Sequence, residues 1–376
     1  MPVKNLKNRG TNMILPQDKL PCKKTVRVGK VLEDRTKKGR SVQWRMGKQF
    51  NLFLGEAHED IRNQRKAERV KYCCSYLWFL ECQESEKHPK KLKSAVFCED
   101  RLCGLCQKRK SIKQFAISVQ LGHEFLKQYP TYRFLFLTLT VPNVKLEELR
   151  NKITHILESW NRLIQRTEVK RAVKGYYRTL EITYNHERKD YHPHLHVVLV
   201  VSSAYFKTKI YIKRDRWLEM WRESTRQQEI TQVDIRSIKV RGSKKKTIDP
   251  VILVFAEACK YGLKPWSTSL KSPIRLQKGK ISRDVEGHAW LRPTRKETAS
   301  VVDLLESALY RRRLVQYGGI LKQIKRELKI KDAEERETDL INLTGRQMSC
   351  KCSICNGEMS EVLYVWNNML ANYYED

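Results

Sequence analysis

The sequence predicts an α+β chain in which strands and helices alternate around an antiparallel hairpin. Three observations lead there. The run TYRFLFLTLTV at 131–141 mixes β-branched and aromatic residues and closes on Pro142-Asn143, as a strand ending in a turn does. The runs YYRTLEITY at 176–184 and YHPHLHVVLVV at 191–201 flank a polar turn at 185–190 and are predicted to pair as a hairpin. Leu149, Ile153, Ile156, Trp160, Leu163 and Ile164 recur at helical spacing within 146–166.

The remaining elements follow in chain order. Residues 1–65 are polar and basic, with paired lysines at 23–24 and 37–38, and are expected to be partly disordered or peripheral. Residues 66–130 are Cys-rich and end in a basic amphipathic helix over 107–129. Residues 131–265 carry the clearest patterning. After the hairpin come a helix holding Trp217 and Trp221 at i,i+4, a strand over 232–240, and a segment at 250–262 that is apolar at helical spacing. Residues 266–376 read as a basic loop at 270–296 and a helical C-terminal region, with one long amphipathic helix over 301–330 and the cluster CKCSIC at 350–355 ahead of an apolar tail. No internal repeat is visible.

Composition narrows the function. A length of 376 residues suits two or three domains. Seventy-five Lys and Arg against 42 Asp and Glu give a net charge of +33. Such an excess calls for an anionic partner, nucleic acid first and an anionic membrane second. The longest apolar runs, 134–141 and 197–201, are strand-sized and far short of the roughly 18 residues that span a bilayer. The N-terminal MPVKNLKNRG has no apolar core, so the chain is expected to be cytoplasmic, with no membrane partner. In a reducing cytoplasm, eleven Cys are metal ligands or buried thiols before they are disulfides.

His192, His194 and His196 alternate along one strand, so their imidazoles share a face. Three histidines so spaced would arise by chance roughly 0.005 times in a chain of this composition. Histidines half exposed on an edge strand are the bland reading. The chemical reading is a metal site, because neutral imidazoles on one strand converge on a cation and a carboxylate completes the set. Glu181, in the preceding strand, is the natural third ligand, since hairpin pairing brings it alongside His194. Such a set also suits non-haem iron, but the charge of +33 favours a phosphate-polarising ion, Mg²⁺ or Mn²⁺.

In VILVFAEACKYGLKP, residues Glu257, Tyr261 and Lys264 stand at i, i+4 and i+7 and share a helix face. Tyr261 is a candidate nucleophile, Glu257 a proton acceptor for it or for water, and Lys264 a point charge. A structural Glu–Lys pair beside an ordinary tyrosine is the alternative.

In this order FLTLTVPN (136–143), YYRTLEITYN (176–185), HPHLHVVL (192–199), VDIR (233–236) and Glu257-x-x-x-Tyr261-x-x-Lys264 resemble rolling-circle plasmid replication initiators of the HUH endonuclease superfamily. The resemblance covers roughly residues 70–265. It implies a central antiparallel sheet with flanking helices, the histidine strand mid-sheet and the tyrosine helix packed near it. It implies that His194, His196 and Glu181 hold the metal, with His192 a weaker contributor. Tyr261 would cut one strand at the plasmid's double-strand origin, forming a 5′-phosphotyrosine and freeing a 3′-OH that primes synthesis. Glu257 would activate water, so that termination ends in hydrolysis. A host helicase and replication proteins are the further partners implied. A conjugative relaxase or transposase of the same superfamily is the nearest alternative, but relaxases place the tyrosine before the histidine strand, and Tyr261 comes after it. A zinc-containing, non-enzymatic DNA-binding regulator is the other.

Cys98-x4-Cys103-x2-Cys106 carries a zinc half-site. The resemblance favours Cys73 as fourth ligand, with Cys74 and Cys82 as alternatives. Four protein ligands would make this zinc structural, bracing a basic element that includes Arg101, Lys108, Arg109 and Lys110. Cys350, Cys352 and Cys355 form a weaker cluster with no fourth ligand evident. Arg109, Lys110, Arg241, Lys244, Lys245 and Lys246, with the basic loop 271–280, are candidate phosphate contacts on duplex origin DNA or a single-stranded nick site.

Overall fold

The computed structural model describes residues 29–33, 43–185, 188–238, 280–283, 289–292, 295–330 and 351–376, together with Val251 and Phe255. In chain order the elements are α1 (Gln43–Asp60), α2 (Gln64–Tyr72), β1 (Tyr76–Cys82), β2 (Lys91–Ala95), α3 (Gly104–Gln128), β3 (Arg133–Thr140) and α4 (Leu149–Gln165). Then come α5 (Thr167–Ala172), β4 (Val173–Asn185), β5 (Asp190–Val201), α6 (Arg214–Thr225), β6 (Val233–Ser237), β7 (Lys280–Arg283) and β8 (Ala289–Arg292). The chain closes with α7 (Arg295–Leu309), β9 (Val315–Gly319), α8 (Ile320–Glu327), β10 (Met359–Asn367) and β11 (Asn372–Glu375).

The architecture is α+β with antiparallel sheets. The larger sheet runs β6-β3-β5-β4-β9, which places the histidine strand β5 in the middle. A second sheet runs β11-β10-β1-β2, and β7 pairs with β8 alone.

Alternation sorts the central sheet into two faces. Leu135, Leu137 and Leu139 of β3 and Leu195, Val197, Leu199 and Val201 of β5 join one core with Ile153, Ile156, Trp160 and Leu163 of α4 and Trp217 and Trp221 of α6. Phe134, Phe136, Val198 and Val200 point the other way and pack with Ile117, Leu121 and Phe125 of α3. The histidines have the parity of Val198 and Val200, so they lie on the α3 face. A one-residue slip of β5 would exchange leucines and valines for imidazoles. Each buried Leu or Val contributes about 2 kcal/mol, so the apolar face fixes the register in which the histidines stand.

Val251 and Phe255, both helical, pack into the α3-side core. The Phe255 ring lies edge-on to Phe134 at 6.0 Å and to Tyr177 at 5.8 Å. Gly122 of α3 permits this approach. A Cβ there would sit 2.5 Å from Val251 Cγ1 and 2.6 Å from Phe255 Cε2.

Four readings differ from the structure. The 270–296 segment is not all loop, because 280–283 and 289–292 pair as β7 and β8. The 301–330 segment is not one helix, because α7 ends at Leu309 and β9 then pairs with β4 at the sheet edge. Gly318 and Gly319 make that possible: Gly319 has φ +55°, and a Cβ on it would sit 2.2 Å from the Lys174 carbonyl oxygen. Residues 43–60 are not peripheral but form α1, whose Arg45, Lys48, Asn51 and His58 are buried, Arg45 donating to the Ala371 carbonyl and Lys48 to the Cys73 carbonyl. The apolar tail is not helical either. It supplies β10 and β11, and β10 pairs with β1 from Tyr76↔Val365 to Cys82↔Met359. No helix among the described residues is long and apolar enough to cross a membrane.

Candidate metal centres and nucleic-acid interface

The hairpin register sets Glu181 directly across from His194, and Thr179 across from His196. Glu181 Oε2 therefore lies 2.8 Å from His194 Nε2 and 3.0 Å from His196 Nε2. All three residues are buried, at 5–9% exposure. His194 Nδ1 donates to the His192 carbonyl at 3.1 Å, which in the neutral tautomer leaves the Nε2 lone pair aimed at a carboxylate oxygen. Two acceptors facing one another at that distance need a proton or a cation between them. The donor set of two imidazoles and one carboxylate fits a metal and leaves coordination positions over. His196 is held from behind by Thr138 Oγ1, 3.3 Å from Nδ1, and stacks on Phe136 with ring centres 5.6 Å apart.

His192 stands beside the group and not in it. Its ring centre is 5.2 Å from that of His194. Burial, then the neighbouring His194, pushes its imidazole down to about 4, so it is neutral near pH 7. The structure thus brings Glu181, His194 and His196 together and leaves His192 adjacent. Glu257, Tyr261 and Lys264 lie outside the described residues, as do Arg241, Lys244, Lys245, Lys246 and Cys350.

The second cluster joins Cys73 after α2, Cys98 after β2, and Cys103 and Cys106 at the start of α3. All four are at most 3% exposed. Cys73 Sγ lies 3.7 Å from both Cys103 Sγ and Cys106 Sγ, and Cys98 Sγ lies 3.6 Å from Cys106 Sγ. These spacings are too long for disulfides. They match the roughly 3.8 Å edge of a sulfur tetrahedron around zinc at about 2.3 Å. Main-chain amides point at the sulfurs: Cys98 N to Cys73, Glu99 N to Cys106, and Cys106 N to Cys103, at 3.3–3.4 Å. Burial pushes the Cys73 and Cys98 thiols up, so four thiolates here require a cation. Of the three alternatives for fourth ligand, the fold supplies Cys73. Cys74 Sγ is 3.8 Å from Cys73 Sγ but lies outside the group, and Cys82 is at the far end of β1.

A buried ion network holds the same loop. Lys66 pairs with Asp100 at 3.0 Å and with Glu306 of α7, and His58 Nε2 lies 3.5 Å from both carboxylates. Burial alone would raise the Asp100 carboxyl. His58 and Lys66 outweigh it and hold that carboxyl at about 2. Sequence reading missed this network, because its members lie in three separate segments.

Basic side chains gather in a cleft of about 290 Å³ between α3, β9 and α8. Lys110, Arg313, Lys322, Lys325, Arg326 and Lys329 line it, and no described lining residue is acidic. Of the basic element named from sequence, Arg101 and Lys110 line this cleft. Arg109 lies over the Phe97 ring at 4.3 Å, and Arg101 also donates to the Leu309 and Arg312 carbonyls. The α8 cations were hidden in what the sequence presented as one long helix.

A central antiparallel sheet, a His–His–Glu group on its middle strands and a basic cleft beside them define a nucleic-acid-processing protein, and the chain belongs to the replication protein family, whose model matches residues 89–374. Among curated relatives, "Protein rep" of Streptococcus pneumoniae is 32% identical over 92% of this chain and 95% of its own length. "Protein rep" of Bacillus amyloliquefaciens is 33% identical over 91% and 96%. "Protein rep" of Staphylococcus aureus is 40% identical over 48% of this chain and 78% of its own. No solved structure matches the chain.

Proposed function

We propose that this replication protein is a plasmid initiator of the HUH type, a site-specific nicking and joining enzyme that starts and ends rolling-circle replication. One observation carries the reading. Glu181, His194 and His196 converge on the sheet face that also receives Phe255, six residues ahead of Tyr261 in the sequence. Phe255 thus packs on the same sheet face as the proposed metal ligands.

Glu181, His194 and His196 would hold Mg²⁺ or Mn²⁺, which supplies charge neutralisation and alignment for a scissile phosphate. The Tyr261 oxygen attacks phosphorus, the P–O bond to the 3′-oxygen breaks, and the phenolic proton passes to Glu257. The products are a 5′-phosphotyrosine and a 3′-hydroxyl, the departing oxygen taking up a proton. At termination Glu257 takes a proton from water, which hydrolyses the second linkage. Lys264 adds positive charge beside the phosphate. Cys73, Cys98, Cys103 and Cys106 would hold a structural zinc, closed to water by four protein ligands. The cleft lined by Lys110 and the α8 cations would follow the DNA backbone, and host helicase and replication proteins would act on the exposed primer.

The test incubates the full chain with supercoiled DNA carrying its origin and Mn²⁺. Nicked circles and a covalent protein–DNA adduct are expected, and Tyr261→Phe should lose both while still binding the origin. Absence of both products under several divalent metals, or full activity in Tyr261→Phe, would refute the reading. The latter result would favour a DNA-binding regulator.

A further inference from the structure

A second tetrahedral set of metal ligands lies at the far end of β1. Cys82 ends that strand, His88 lies in the turn towards β2, and Cys352 and Cys355 come from the chain just before β10. Their ligand atoms all fall within 4.8 Å of one another. His88 Nδ1 is 3.2 Å from Cys82 Sγ and 3.4 Å from Cys352 Sγ, and Cys82 Sγ is 3.5 Å from Cys355 Sγ. A zinc ion bonded at about 2.3 Å to sulfur and about 2.05 Å to nitrogen sets tetrahedral edges of about 3.8 and 3.6 Å. The observed separations sit just inside those values.

The local backbone is shaped for the same purpose. Cys352-Ser-Ile-Cys355-Asn-Gly357 folds into a knuckle in which Cys352 N donates to the Gly357 carbonyl at 2.8 Å and Asn356 N to the Cys352 carbonyl at 3.0 Å. Ile354 N points at Cys352 Sγ and Gly357 N at Cys355 Sγ, both at 3.4 Å. Amides aimed at a sulfur stabilise the thiolate that binds a metal. Asn356 takes the left-handed conformation, φ +59°, that the tight return requires. Gly357 has no room for a side chain, since a Cβ would sit 2.8 Å from Glu84 Cγ and 3.3 Å from Cys355 Sγ.

We infer that Cys82, His88, Cys352 and Cys355 form a second structural zinc site, which staples the C-terminal hairpin to β1. With four protein ligands it has no open position for chemistry. Its place in the ladder says what it does. Cys82 pairs with Met359 at the last register position of β1 and β10, so the metal would close the end of a pairing between segments more than 270 residues apart. Leu77, Phe79, Val362 and Tyr364 anchor the near part of this pairing in the main core, whereas among the described residues the end beneath the metal has only the small cluster Leu80, Cys82, Cys352 and Met359. The inference is independent of the nicking chemistry.

Metal content of the full-length protein, purified under reducing conditions, tests it. Two equivalents of zinc are expected, and Cys352→Ser/Cys355→Ser should retain one. Cys82→Ser should lose the same single equivalent, whereas Cys350→Ser should keep both. His88→Cys should keep both and shift the visible spectrum of the Co²⁺-substituted protein towards all-sulfur coordination. Hydrogen exchange should speed in β10 of the double variant and stay unchanged in β3 and β5. Two equivalents in the double variant, loss of one in Cys350→Ser, or a Cys82–Cys355 disulfide in place of metal would overturn the proposal.

Discussion

At the start of α3 four thiols are enclosed by main-chain amides, while two imidazoles and a carboxylate come together on the sheet face towards α3. Both groups are buried, so burial does not separate them. Ligand number and chemistry do. Four sulfurs complete a tetrahedron and exclude substrate, whereas two nitrogens and an oxygen leave positions over for a phosphate. The thiol ligands come from two connections between elements and the first turn of α3, which a metal would gather. The Glu–His–His set comes from one hairpin whose register the apolar face fixes without help. In the proposed reading the first arrangement would make the fold depend on its metal, and the second would make only the chemistry depend on it.

The sharpest way to break this comparison is to remove one ligand from each group. Cys106→Ser is expected to forfeit on the order of 10 kcal/mol of metal-linked stability, comparable to that of a whole domain, and so to abolish a cooperative thermal melt. His196→Ala should melt within a few degrees of the parent protein yet cut origin DNA about 10³-fold more slowly, about 4 kcal/mol at the barrier. If His196→Ala lost its cooperative melt, the distinction would collapse. Asp100→Ala leaves Lys66 and the Leu102 amide without their buried carboxylate and should cost about 3 kcal/mol in urea denaturation, with zinc retained. The smallest effect is expected from Lys110→Ala/Lys329→Ala. It should lower the slope of DNA affinity against salt by about 2 while leaving both metal groups intact.

The hairpin group was legible in the sequence because it is local. A turn at 185–190 pairs Glu181 with His194, and alternation places His196 beside them. The thiol cluster was half legible. The CxxC spacing marks Cys103 and Cys106, but only the packing of α2 against the loop after β2 selects Cys73. β9 stayed hidden, since the spacing that defines α7 runs on into it and the break depends on Gly319 meeting β4. α1 stayed hidden because its buried lysine reads as a surface charge. Lys48 Nζ is in fact spent on the Cys73 carbonyl at 3.0 Å and Ser75 Oγ at 2.7 Å. The β1–β10 pairing leaves no local trace at all.

The bare Cα of Gly122 has a wider reach than its size suggests. It is the notch into which Val251 and Phe255 seat, so the distance at which they pack on α3 is set by a hydrogen atom where any other residue would place carbon. A single methyl at that point would act as a shim. It would push Val251 and Phe255 away from α3 without touching Glu181, His194 or His196.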